Sequence, residues 1–476
     1  MKSIDTIYIN GQFVTPHGTE RFTLVDPVTE QEAAQVTLAD EVDAENAIAA
    51  ATAAYRELAG SSREQRMSWL ARLHEVVAAA EEELIATMIE EYGGPHGISV
   101  ATSKRAAASF DQARTLLADY PFERQVASAR VRMEPLGVVG LITPWNANYG
   151  MICSKLAMAI AAGNTAVIKP SELSARQTEL LTRVLHRAEV PAGLFNILTG
   201  RGDVVGAAFV RHPGIAKISF TGSTAVGKSI VRGSADTLKR VTLELGGKSP
   251  TLLLDDADFD KAMPYIAAAA TMNSGQACLA GTRLLVPRAR LQEAEQGIVA
   301  AFGTLNVGDP RDPATRIGPM VSATQYQRVQ AYIRKGTEEG ATLLLGGTGL
   351  PEGLERGYFV RPTVFSNVRN DMTIAKEEIF GPVLSIIAYD NEEDAIAIAN
   401  DTIYGLHAYV FSGDLARANR VARRIEAGRV FINGLYDEPM APFGGFKQSG
   451  LGREFGVFGL EEYLEPKTVL GYEQSL

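Results

Sequence analysis

Short apolar runs alternate with helical stretches through the middle of this chain, and this alternation constrains its fold more than any other feature. The apolar runs cover residues 136–142, 165–168, 194–198, 215–220 and 241–243. The helical patterns between them cover residues 151–162, 176–188, 204–210 and 223–232. Strands and helices that alternate at this spacing predict a parallel sheet with helices on both faces. Sheets of this class bind ligands at the carboxyl ends of their strands.

The flanking regions predict further structural units. A length of 476 residues is typical of a protein with about three structural units in all. The predicted elements near the N-terminus are a hairpin at 7–14, with Asn10-Gly11 at its turn, and Ala-rich helices at 44–58 and 64–91. The apolar runs of a second predicted α/β domain lie at 282–286, 383–387, 408–411 and 430–432. Residues 129–133 and 468–472 alternate like exposed strands without a sheet of their own, so we expect an arm that pairs with other subunits.

Charge and composition exclude several classes of function. The formal net charge is −10, and no stretch is a run of Lys and Arg, so no nucleic-acid partner is expected. No apolar run is long enough to span a bilayer, and residues 1–5 do not begin a secretory signal. The two cysteines, Cys153 and Cys278, cannot build a disulfide framework. We therefore expect reduced thiols and a cytoplasmic protein without a membrane partner.

Two glycine motifs point to phosphate groups. Residues 222–229 match the G-x-x-x-x-G-K-S loop of nucleoside triphosphatases, and a strand-like run ends at Asp255 as a magnesium-binding segment would. Only 26 residues separate Ser229 from Asp255, which leaves little room for the elements between them in such enzymes. The second motif, Gly200-x-Gly202-x-x-x-Gly206, is one residue longer than a dinucleotide fingerprint. A glycine loop that opens a helix offers N–H groups and a positive dipole end to a phosphate in either case.

Seven separated motifs occur in a fixed order. They are Thr143-Pro144-Trp145-Asn146, Lys169-Pro170-Ser171-Glu172, Phe220-Thr221-Gly222-Ser223-Thr224, Leu243-Glu244-Leu245-Gly246-Gly247-Lys248, Gly275-Gln276-Ala277-Cys278, Glu377-Glu378-Ile379-Phe380-Gly381-Pro382-Val383 and Pro442-Phe443-Gly444-Gly445-Phe446-Lys447-Gln448-Ser449-Gly450. Their order and intervals, including 34 residues from Glu244 to Cys278, resemble those of the aldehyde dehydrogenase superfamily over nearly the whole chain. The resemblance implies an enzyme that oxidises an aldehyde to a carboxylic acid with a nicotinamide cofactor and without a metal.

The resemblance implies a role for four catalytic residues. Cys278 attacks the aldehyde, and the Asn146 amide and the Cys278 N–H form an oxyanion hole for the thiohemiacetal. Glu244 activates the water that hydrolyses the resulting thioester, which argues against relatives that pass the acyl group to coenzyme A. Lys155 matches a lysine proposed to pass protons near the oxyanion; a helix-surface lysine is the alternative.

The resemblance also implies a cofactor site at the ends of the strands. Its predicted residues are Ile142, Pro144, Trp145, Lys169, Glu172, Gly202, Gly206, Phe220, Gly222, Ser223, Leu245, Gln325, Glu378 and Phe380. A Glu172 carboxylate near the adenosine ribose accepts hydrogen bonds from a 2′-OH and repels a 2′-phosphate, so NAD is expected rather than NADP. Lys169 softens that repulsion, which leaves NADP possible.

The predicted architecture combines the pattern and the resemblance. We predict an α/β protein with a Rossmann-like parallel-sheet cofactor domain from residues 1–116 and 136–246. A second α/β domain, from 247–446, carries the catalytic loop, and a β-strand oligomerisation arm is built from 117–135 and 447–476. The arm and the resemblance together predict a homodimer or a homotetramer.

The chain departs from its relatives around the predicted substrate tunnel. Ala147-Asn148-Tyr149-Gly150 replaces an aromatic residue and a proline that often follow the asparagine. Cys153 is expected to line the tunnel where a tryptophan often stands, and the residue after the nucleophile is Leu279. These changes predict a wider tunnel, with Tyr436-Asp437-Glu438 at its entrance and a bulkier or more polar aldehyde as substrate. Two alternatives stay open: a nucleoside triphosphatase, and a non-catalytic relative retained for binding.

Overall fold

Residues 2–472 are the part of the chain that the computed structural model describes, and they form two large sheets and two small ones. The first large sheet contains, in spatial order, Gly450–Leu451, Arg240–Glu244, Lys217–Thr221, Val138–Thr143, Thr165–Pro170, Phe195–Ile197, Ile7–Ile9 and Gln12–Val14. Its five central strands are parallel, and the outer strands on both sides run antiparallel to their neighbours. The predicted parallel sheet is therefore confirmed, together with the 7–14 hairpin.

The second large sheet has seven strands in the described chain. In spatial order they are Thr342–Leu345, Thr363–Ser366, Val383–Tyr389, Arg283–Pro287, Pro250–Leu253, His407–Phe411 and Arg429–Ile432. All but the first run parallel. The residues of the five central strands are almost wholly buried, which is expected where helices cover both faces of a parallel sheet. The predicted second α/β region is confirmed.

Helices cover both large sheets. Their bounds are Glu41–Leu58, Arg63–Ala79, Glu81–Tyr92, His96–Asp119, Asn148–Ala162, Ala175–His186, Ala207–Arg211, Thr224–Ser234, Phe259–Ala270, Leu291–Gly303, Ala323–Glu338, Thr373–Lys376, Glu392–Asn400, Leu415–Ala422 and Gly456–Glu461. The single helix predicted at 64–91 is two helices that meet at Ala80, whose φ and ψ of −97° and 10° interrupt the hydrogen-bond ladder. Within residues 2–472, no helix has both the length and the apolar character that a bilayer crossing requires.

The predicted arm needs a correction. Strands Glu123–Val126, Ala129–Pro135 and Leu464–Val469 pair antiparallel into a sheet of their own, so the second exposed strand starts before the predicted 468–472. Within the predicted arm segment 447–476, Gly450–Leu451 pairs instead with the strand that ends at Glu244. The other small sheet consists of Lys2–Ile4, Glu32–Thr37 and Arg21–Val25.

His407 makes the second sheet sensitive to acid. Its side chain is 1% exposed, and neither ring nitrogen has a hydrogen-bond partner among the described residues. Burial, aided by the charge of Arg429, lowers the pKa of His407 to about 3. In an unfolded chain the pKa of a histidine is about 6.5. As the pH falls, the unfolded state therefore binds a proton at His407 before the folded state does. The stability present above that pH is therefore lost as the pH falls toward 3.

We expect His407→Leu to reduce this acid sensitivity. Between pH 7.5 and pH 5, wild type should lose about 2 kcal/mol of unfolding free energy through this histidine, and the variant should not. Urea unfolding of both proteins at the two pH values measures the difference. Equal losses in the two proteins would show that His407 does not titrate in this way.

Candidate active site

The predicted cofactor residues lie along one edge of the first sheet. Leu243, Phe220, Ile142 and Lys169 are successive register partners across four parallel strands, and each lies one residue before the carboxyl end of its strand. Glu244 and Thr221 form the next row. The sheet thus brings together at its carboxyl edge the residues that four separate motifs contribute, as parallel topology requires.

Cys278 follows a strained turn. Asn273, Ser274 and Gly275 all have positive φ, at 53°, 59° and 76°. A Cβ on Gly275 would lie 2.2 Å from the carbonyl carbon of Gly381, so the turn needs glycine for both its conformation and its packing. Left-handed conformations of Asn and Ser cost energy that the surroundings must offset. The turn leaves the Cys278 side chain partly exposed, whereas Cys153 is buried.

Asn146 fixes the first sheet to this turn. The Asn146 side-chain Nδ2 donates to the carbonyl oxygen of Gln276 at 2.9 Å, and Asn273 Nδ2 donates to the Asn146 carbonyl oxygen at 2.9 Å. Gln276 in turn donates to the Tyr92 hydroxyl at 3.1 Å and accepts from the Val321 N–H at 3.0 Å. The amide of Asn146 therefore lies two residues from the thiol, where its second N–H can reach an oxygen bonded to the substrate carbon.

Glu244 ends its strand as a buried carboxylate. The residue is 3% exposed, and neither carboxylate oxygen has a hydrogen-bond partner among residues 2–472. Desolvation raises the pKa of Glu244 well above its ordinary value, the negative charge of Glu454 adds to the shift, and Lys155 opposes it. A Cβ on Gly444 would lie 2.8 Å from Glu244 Oε1, so the glycine motif of residues 442–450 leaves room for this carboxylate. The raised pKa makes this carboxylate a stronger base than an exposed glutamate.

The Cys278 thiol is protonated in this arrangement. Burial raises the pKa of Cys278 to about 12, and the negative charges of Glu378 and Glu244 contribute in that order. Both carboxylates therefore lie within electrostatic reach of the sulfur. Because only the thiolate is a strong nucleophile, the thiol proton must pass to a base when the sulfur attacks a carbonyl carbon.

Lys155 forms a buried ion pair beside this base. Lys155 Nζ donates to Glu454 Oε1 and, at 2.9 Å, to Ser219 Oγ. Its side chain is 1% exposed, so the alternative of a surface lysine is wrong. Glu454 lies 210 residues after Glu244 in sequence, and no pattern in the sequence indicated its place in the site.

The segment Gly246-Gly247 lies between Cys278 and Glu378. Gly247 N–H donates to Glu378 Oε1 at 3.0 Å, while a Cβ on Gly246 would lie 2.5 Å from Glu378 Oε2. A Cβ on Gly247 would lie 2.2 Å from the Cys278 carbonyl oxygen. These two glycines therefore allow the loop of Glu378 to approach the nucleophile.

The loop of residues 377–383 is held by side chains from the helix Ala323–Glu338. Gln325 Nε2 donates to the carbonyl oxygens of Ile379 and Phe380 at 3.2 and 2.8 Å, and Arg328 donates to the Glu378 carbonyl at 2.6 Å. Phe380 has a φ of 65°, and its ring meets the Trp145 ring edge to face, with centroids 5.5 Å apart. Gln325, Phe380 and Trp145 are therefore brought together near the thiol.

The adenosine side of the predicted cofactor site is polar. Lys169 Nζ contacts Glu172 Oε2 at 3.2 Å, and burial lowers the pKa of Lys169. The charge of Asp203, within the glycine turn Gly202–Gly206, opposes that shift and so lies near the lysine. Gly206 lies beside Ile142, with a built Cβ 3.8 Å from the Ile142 side chain. A ribose bearing two hydroxyls fits such a donor and acceptor pair.

The glycine motif at residues 222–229 lies at the start of a helix, but it does not form a triphosphatase site. Ser223 caps the helix Thr224–Ser234 and accepts from the Val226 N–H at 3.4 Å. A Cβ on Gly227 would lie 2.6 Å from Leu245, so this helix packs closely on the sheet. Asp255, however, follows a strand of the second sheet and pairs with Arg417. The triphosphatase alternative is wrong because its two motifs belong to different sheets.

Cys153 does not line a tunnel, which corrects the sequence-based expectation. Its side chain is 0% exposed and packs in the core of the first domain. In the helix Asn148–Ala162, Met151 is the one residue that is not buried. Met151 lies five residues after Asn146 and one helical turn after Ala147, so these positions face the site. A helix that is buried on almost every side offers no clear periodicity from which this face could be predicted.

Arg105 contributes a positive charge to the predicted entrance, and no sequence pattern indicated it. Tyr436 is 58% exposed, and Asp437 accepts from Arg105 Nη2 at 2.8 Å across 332 residues of sequence. Arg105 lies on the helix His96–Asp119, and its Cδ would lie 3.8 Å from a Cβ built on Gly150. Arg105 therefore neutralises the charge of Asp437 at this rim.

Comparisons with known proteins agree with this geometry. The aldehyde dehydrogenase family model matches residues 13–469. A 3-succinoylsemialdehyde-pyridine dehydrogenase from a Pseudomonas species is 44% identical over 478 residues, covering 100% of both chains. A putative aldehyde dehydrogenase from Staphylococcus saprophyticus is 44% identical over 475 residues, 99% of this chain and 100% of the other.

Solved structures of aldehyde dehydrogenases also superpose closely on this chain. A mutant of aldehyde dehydrogenase C from Pseudomonas syringae, in complex with NAD+ and octanal, superposes with a TM-score of 0.97. It is 46% identical and covers 98% of this chain and 97% of its own. Betaine aldehyde dehydrogenase from Staphylococcus aureus, in complex with NAD+, has a TM-score of 0.96 at 32% identity, covering 99% and 95% of the two chains.

Proposed function

Because this chain belongs to the aldehyde dehydrogenase family and is an enzyme that oxidises aldehydes with NAD, we propose that Cys278 is its nucleophile and Glu244 its general base. The observation that carries the proposal is the turn before Cys278. The Asn146 amide bonds to this turn at Gln276, the cysteine is not fully buried, and it lies within electrostatic reach of a buried carboxylate without a partner in the described chain. A buried structural cysteine needs none of these neighbours.

In the proposed reaction, the Cys278 thiol releases its proton to solvent water as Sγ bonds to the aldehyde carbon, and the carbonyl oxygen becomes an oxyanion. The Asn146 Nδ2–H and the Cys278 N–H donate to that oxygen. Bound NAD would supply the acceptor for the hydride that leaves the substrate carbon, and the acyl group would then stay on Cys278 as a thioester. Glu244 then removes a proton from a water molecule that attacks the thioester carbonyl, which releases the acid and restores the thiol.

The cofactor residues fit this role. Ser223 at a helix start offers N–H groups to a pyrophosphate, and Lys169 with Glu172 offers a donor and an acceptor to ribose hydroxyls. Glu378 accepts from the Gly247 N–H and Gln325 donates to the Phe380 carbonyl, and we propose that Glu378 and Phe380 contact the nicotinamide ribose. We propose NAD binding by these residues and by the others predicted from the sequence.

We expect Asn146→Ala to lower kcat by about 10²- to 10³-fold because one oxyanion donor is lost. The KM for NAD should change little, since Asn146 contacts the catalytic turn. Steady-state kinetics with octanal measure both values. Asn146→Asp, which retains the shape but adds a charge beside the oxyanion, should be at least as impaired; a fully active Asp variant would contradict the role.

We expect Glu172→Ser to raise kcat/KM for NADP by about 10- to 100-fold, because the carboxylate that repels a 2′-phosphate is removed and Lys169 remains. The kcat/KM for NAD should fall modestly through the lost ribose contact. Initial rates with each cofactor give the ratio. If wild type already uses both cofactors equally, the proposed preference for NAD is wrong.

The three-stranded sheet supports a proposal about assembly. Residues Glu123–Val126 are all exposed, and no other strand of the described chain pairs with the outer side of this strand. We propose that residues 123–135 and 464–469 form the oligomerisation arm of a homodimer or homotetramer, beside cofactor and catalytic domains centred on the two large sheets. Two unpaired cysteines support the proposed cytoplasmic location. Analytical ultracentrifugation of the purified protein gives the subunit number.

A panel of aldehydes tests the proposed reaction. Octanal and a succinoylsemialdehyde-pyridine belong in it, because octanal is bound in the structure of one relative and another relative is named for the pyridine aldehyde. NADH absorbance and mass detection of the acid report turnover with NAD. The absence of both NAD binding and acid formation would favour the alternative of a non-catalytic relative.

A further inference from the structure

The predicted entrance residues belong to one irregular loop, residues 433–443, which we call the entrance loop. Its first residue, Asn433, is fixed to the second sheet, because its N–H donates to a carbonyl oxygen of the neighbouring strand at 3.0 Å. Its last residue, Phe443, is fixed by two backbone hydrogen bonds with Glu454, at 2.8 and 2.7 Å. The loop is thus anchored at both ends, and its shape in between depends on other contacts.

Arg429 holds the middle of the entrance loop. It donates to three backbone carbonyl oxygens of the loop, from Nη2 to Glu438 at 3.1 Å and to Ala441 at 2.7 Å, and from Nε to Pro442 at 3.0 Å. Its guanidinium carbon also lies 5.2 Å from the centroid of the Phe443 ring. Within residues 2–472, every hydrogen bond that the backbone of residues 434–442 receives from outside this segment comes from Arg429. The fixed directions of its donors suit a guanidinium to this task.

The same guanidinium lies near both the entrance and the proposed base. Desolvation lowers the pKa of Arg429, and the positive charge of Arg105 adds to that shift. The negative charges of Asp437, Glu438 and Glu244 oppose it. Arg429 is therefore within electrostatic reach of Glu244 on one side and of the entrance residues on the other. An arginine remains charged in such surroundings.

The end of the entrance loop leads directly to Glu244. Gly444 follows the loop, and a Cβ built on it would lie 2.8 Å from Glu244 Oε1. A displacement of the loop would therefore move the backbone beside the carboxylate. The other charged or titratable groups that face Glu244 come from elements outside the loop, and they are Glu454, Lys155, Arg453, Glu462 and Cys278.

We propose that Arg429 is a positioning residue, which holds the entrance loop and thereby fixes both the aldehyde entrance and the backbone beside Glu244. The inference rests on the proposed function, because the loop and Glu244 have these roles only in that reaction. Arg429 acts through the loop that it holds, and its charge also favours the ionised form of Glu244. Loss of its hydrogen bonds should weaken aldehyde binding and slow hydrolysis, and it should leave NAD binding as it is.

Two substitutions separate the hydrogen bonds of Arg429 from its charge. Arg429→Lys keeps the charge but cannot match the three bonds of a guanidinium, whereas Arg429→Met removes both. Arg290→Met is the matched control. Arg290 donates to the carbonyl oxygens of Asp255 and Ala257, and its guanidinium carbon lies 3.5 Å from the centroid of the Phe259 ring, but none of these residues belongs to the entrance loop. Thermal unfolding and NAD titration establish that each variant is folded.

We expect both Arg429 variants to raise the KM for the aldehyde by about 5- to 20-fold and to lower kcat by about 3- to 10-fold, because the entrance loop loses its support. The KM for NAD should change little. In Arg429→Met the acidic limb of the pH profile of kcat should also move to higher pH by about 0.5 to 1 unit, since loss of a positive charge favours protonated Glu244. Arg429→Lys should keep the wild-type profile. These kinetics use the aldehyde of the panel that wild type oxidises fastest.

Limited proteolysis tests the loop without reference to activity. Tyr436 is 58% exposed, and we expect chymotrypsin to cleave after it about 10-fold faster in Arg429→Met than in wild type, because the loop opens more easily. Arg290→Met should be cleaved at the wild-type rate. If folded Arg429→Met keeps the wild-type KM for the aldehyde or the wild-type cleavage rate, Arg429 does not act through the loop and the proposal is wrong, even where the pH profile shifts. A wild-type enzyme that forms no acid would instead contradict the proposed function.

Discussion

Cys278→Ala is expected to lower kcat for aldehyde oxidation by about 10⁴-fold or more, the largest effect of any single substitution in this protein. Without the sulfur no covalent bond forms to the aldehyde carbon, and the remaining groups can only bind and polarise the substrate. NAD binding should persist, because the Gly246-Gly247 segment contacts the Cys278 backbone rather than its side chain. Initial rates and equilibrium titration with NAD measure the two effects.

The second cysteine supplies the control for this experiment. Cys153 is wholly buried in the core, and burial raises the pKa of its thiol. Cys153→Ala should retain turnover, and iodoacetamide should inactivate it as it does wild type. Mass spectrometry of the alkylated protein should place the modification on Cys278. Retention of more than a tenth of the activity in Cys278→Ala would show that the reaction does not pass through a thioester on this residue.

The fold could be predicted largely because local patterns and parallel topology reinforce each other. Strands such as 165–170 are short β-branched runs between helices, and their order along the chain is their order across half of the first sheet. The break at Ala80 was not predictable, because neither Gly nor Pro marks it. The strand Leu464–Val469 was misplaced because its inner half alternates weakly and its pairing partner lies more than 300 residues earlier in sequence.

The active site was predictable where a residue follows a strand or occurs in a motif. The structure brings Asn146, Glu244 and Cys278 close together, and their catalytic roles stay a prediction. Other residues reach the site from segments that are distant in sequence, and these residues belong to no motif that could have identified them. Glu454 acts through a buried ion pair with Lys155, and Arg105 reaches the entrance from a helix whose pattern is ordinary. Burial of an ionic group is a property of the tertiary structure, so sequence alone does not reveal it.

The tertiary structure also gives Glu244 an environment that its sequence motif does not reveal. A glutamate at the end of a strand is usually solvated, whereas this one has no hydrogen-bond partner in the described chain and a raised pKa. Those properties cost stability in the folded state, because a buried carboxyl without partners is unfavourable. Glu244→Gln should therefore leave the protein at least as stable as wild type, which separates its catalytic role from a structural one.

We expect Glu244→Gln to lower steady-state kcat by about 10²- to 10⁴-fold, because the amide cannot accept a proton from the hydrolytic water. The sulfur is unaffected, so a single burst of NADH, close to one equivalent per active site, should precede the slow phase. Intact-protein mass spectrometry after the burst should show the acyl group on Cys278. Glu378→Gln is the comparison, since that carboxylate also lies near the thiol but contacts the Gly247 N–H rather than the water. It should weaken NAD binding without trapping an acyl enzyme. Loss of the burst itself in Glu244→Gln would mean that Glu244 acts before the thioester forms, as the base for the thiol rather than for water.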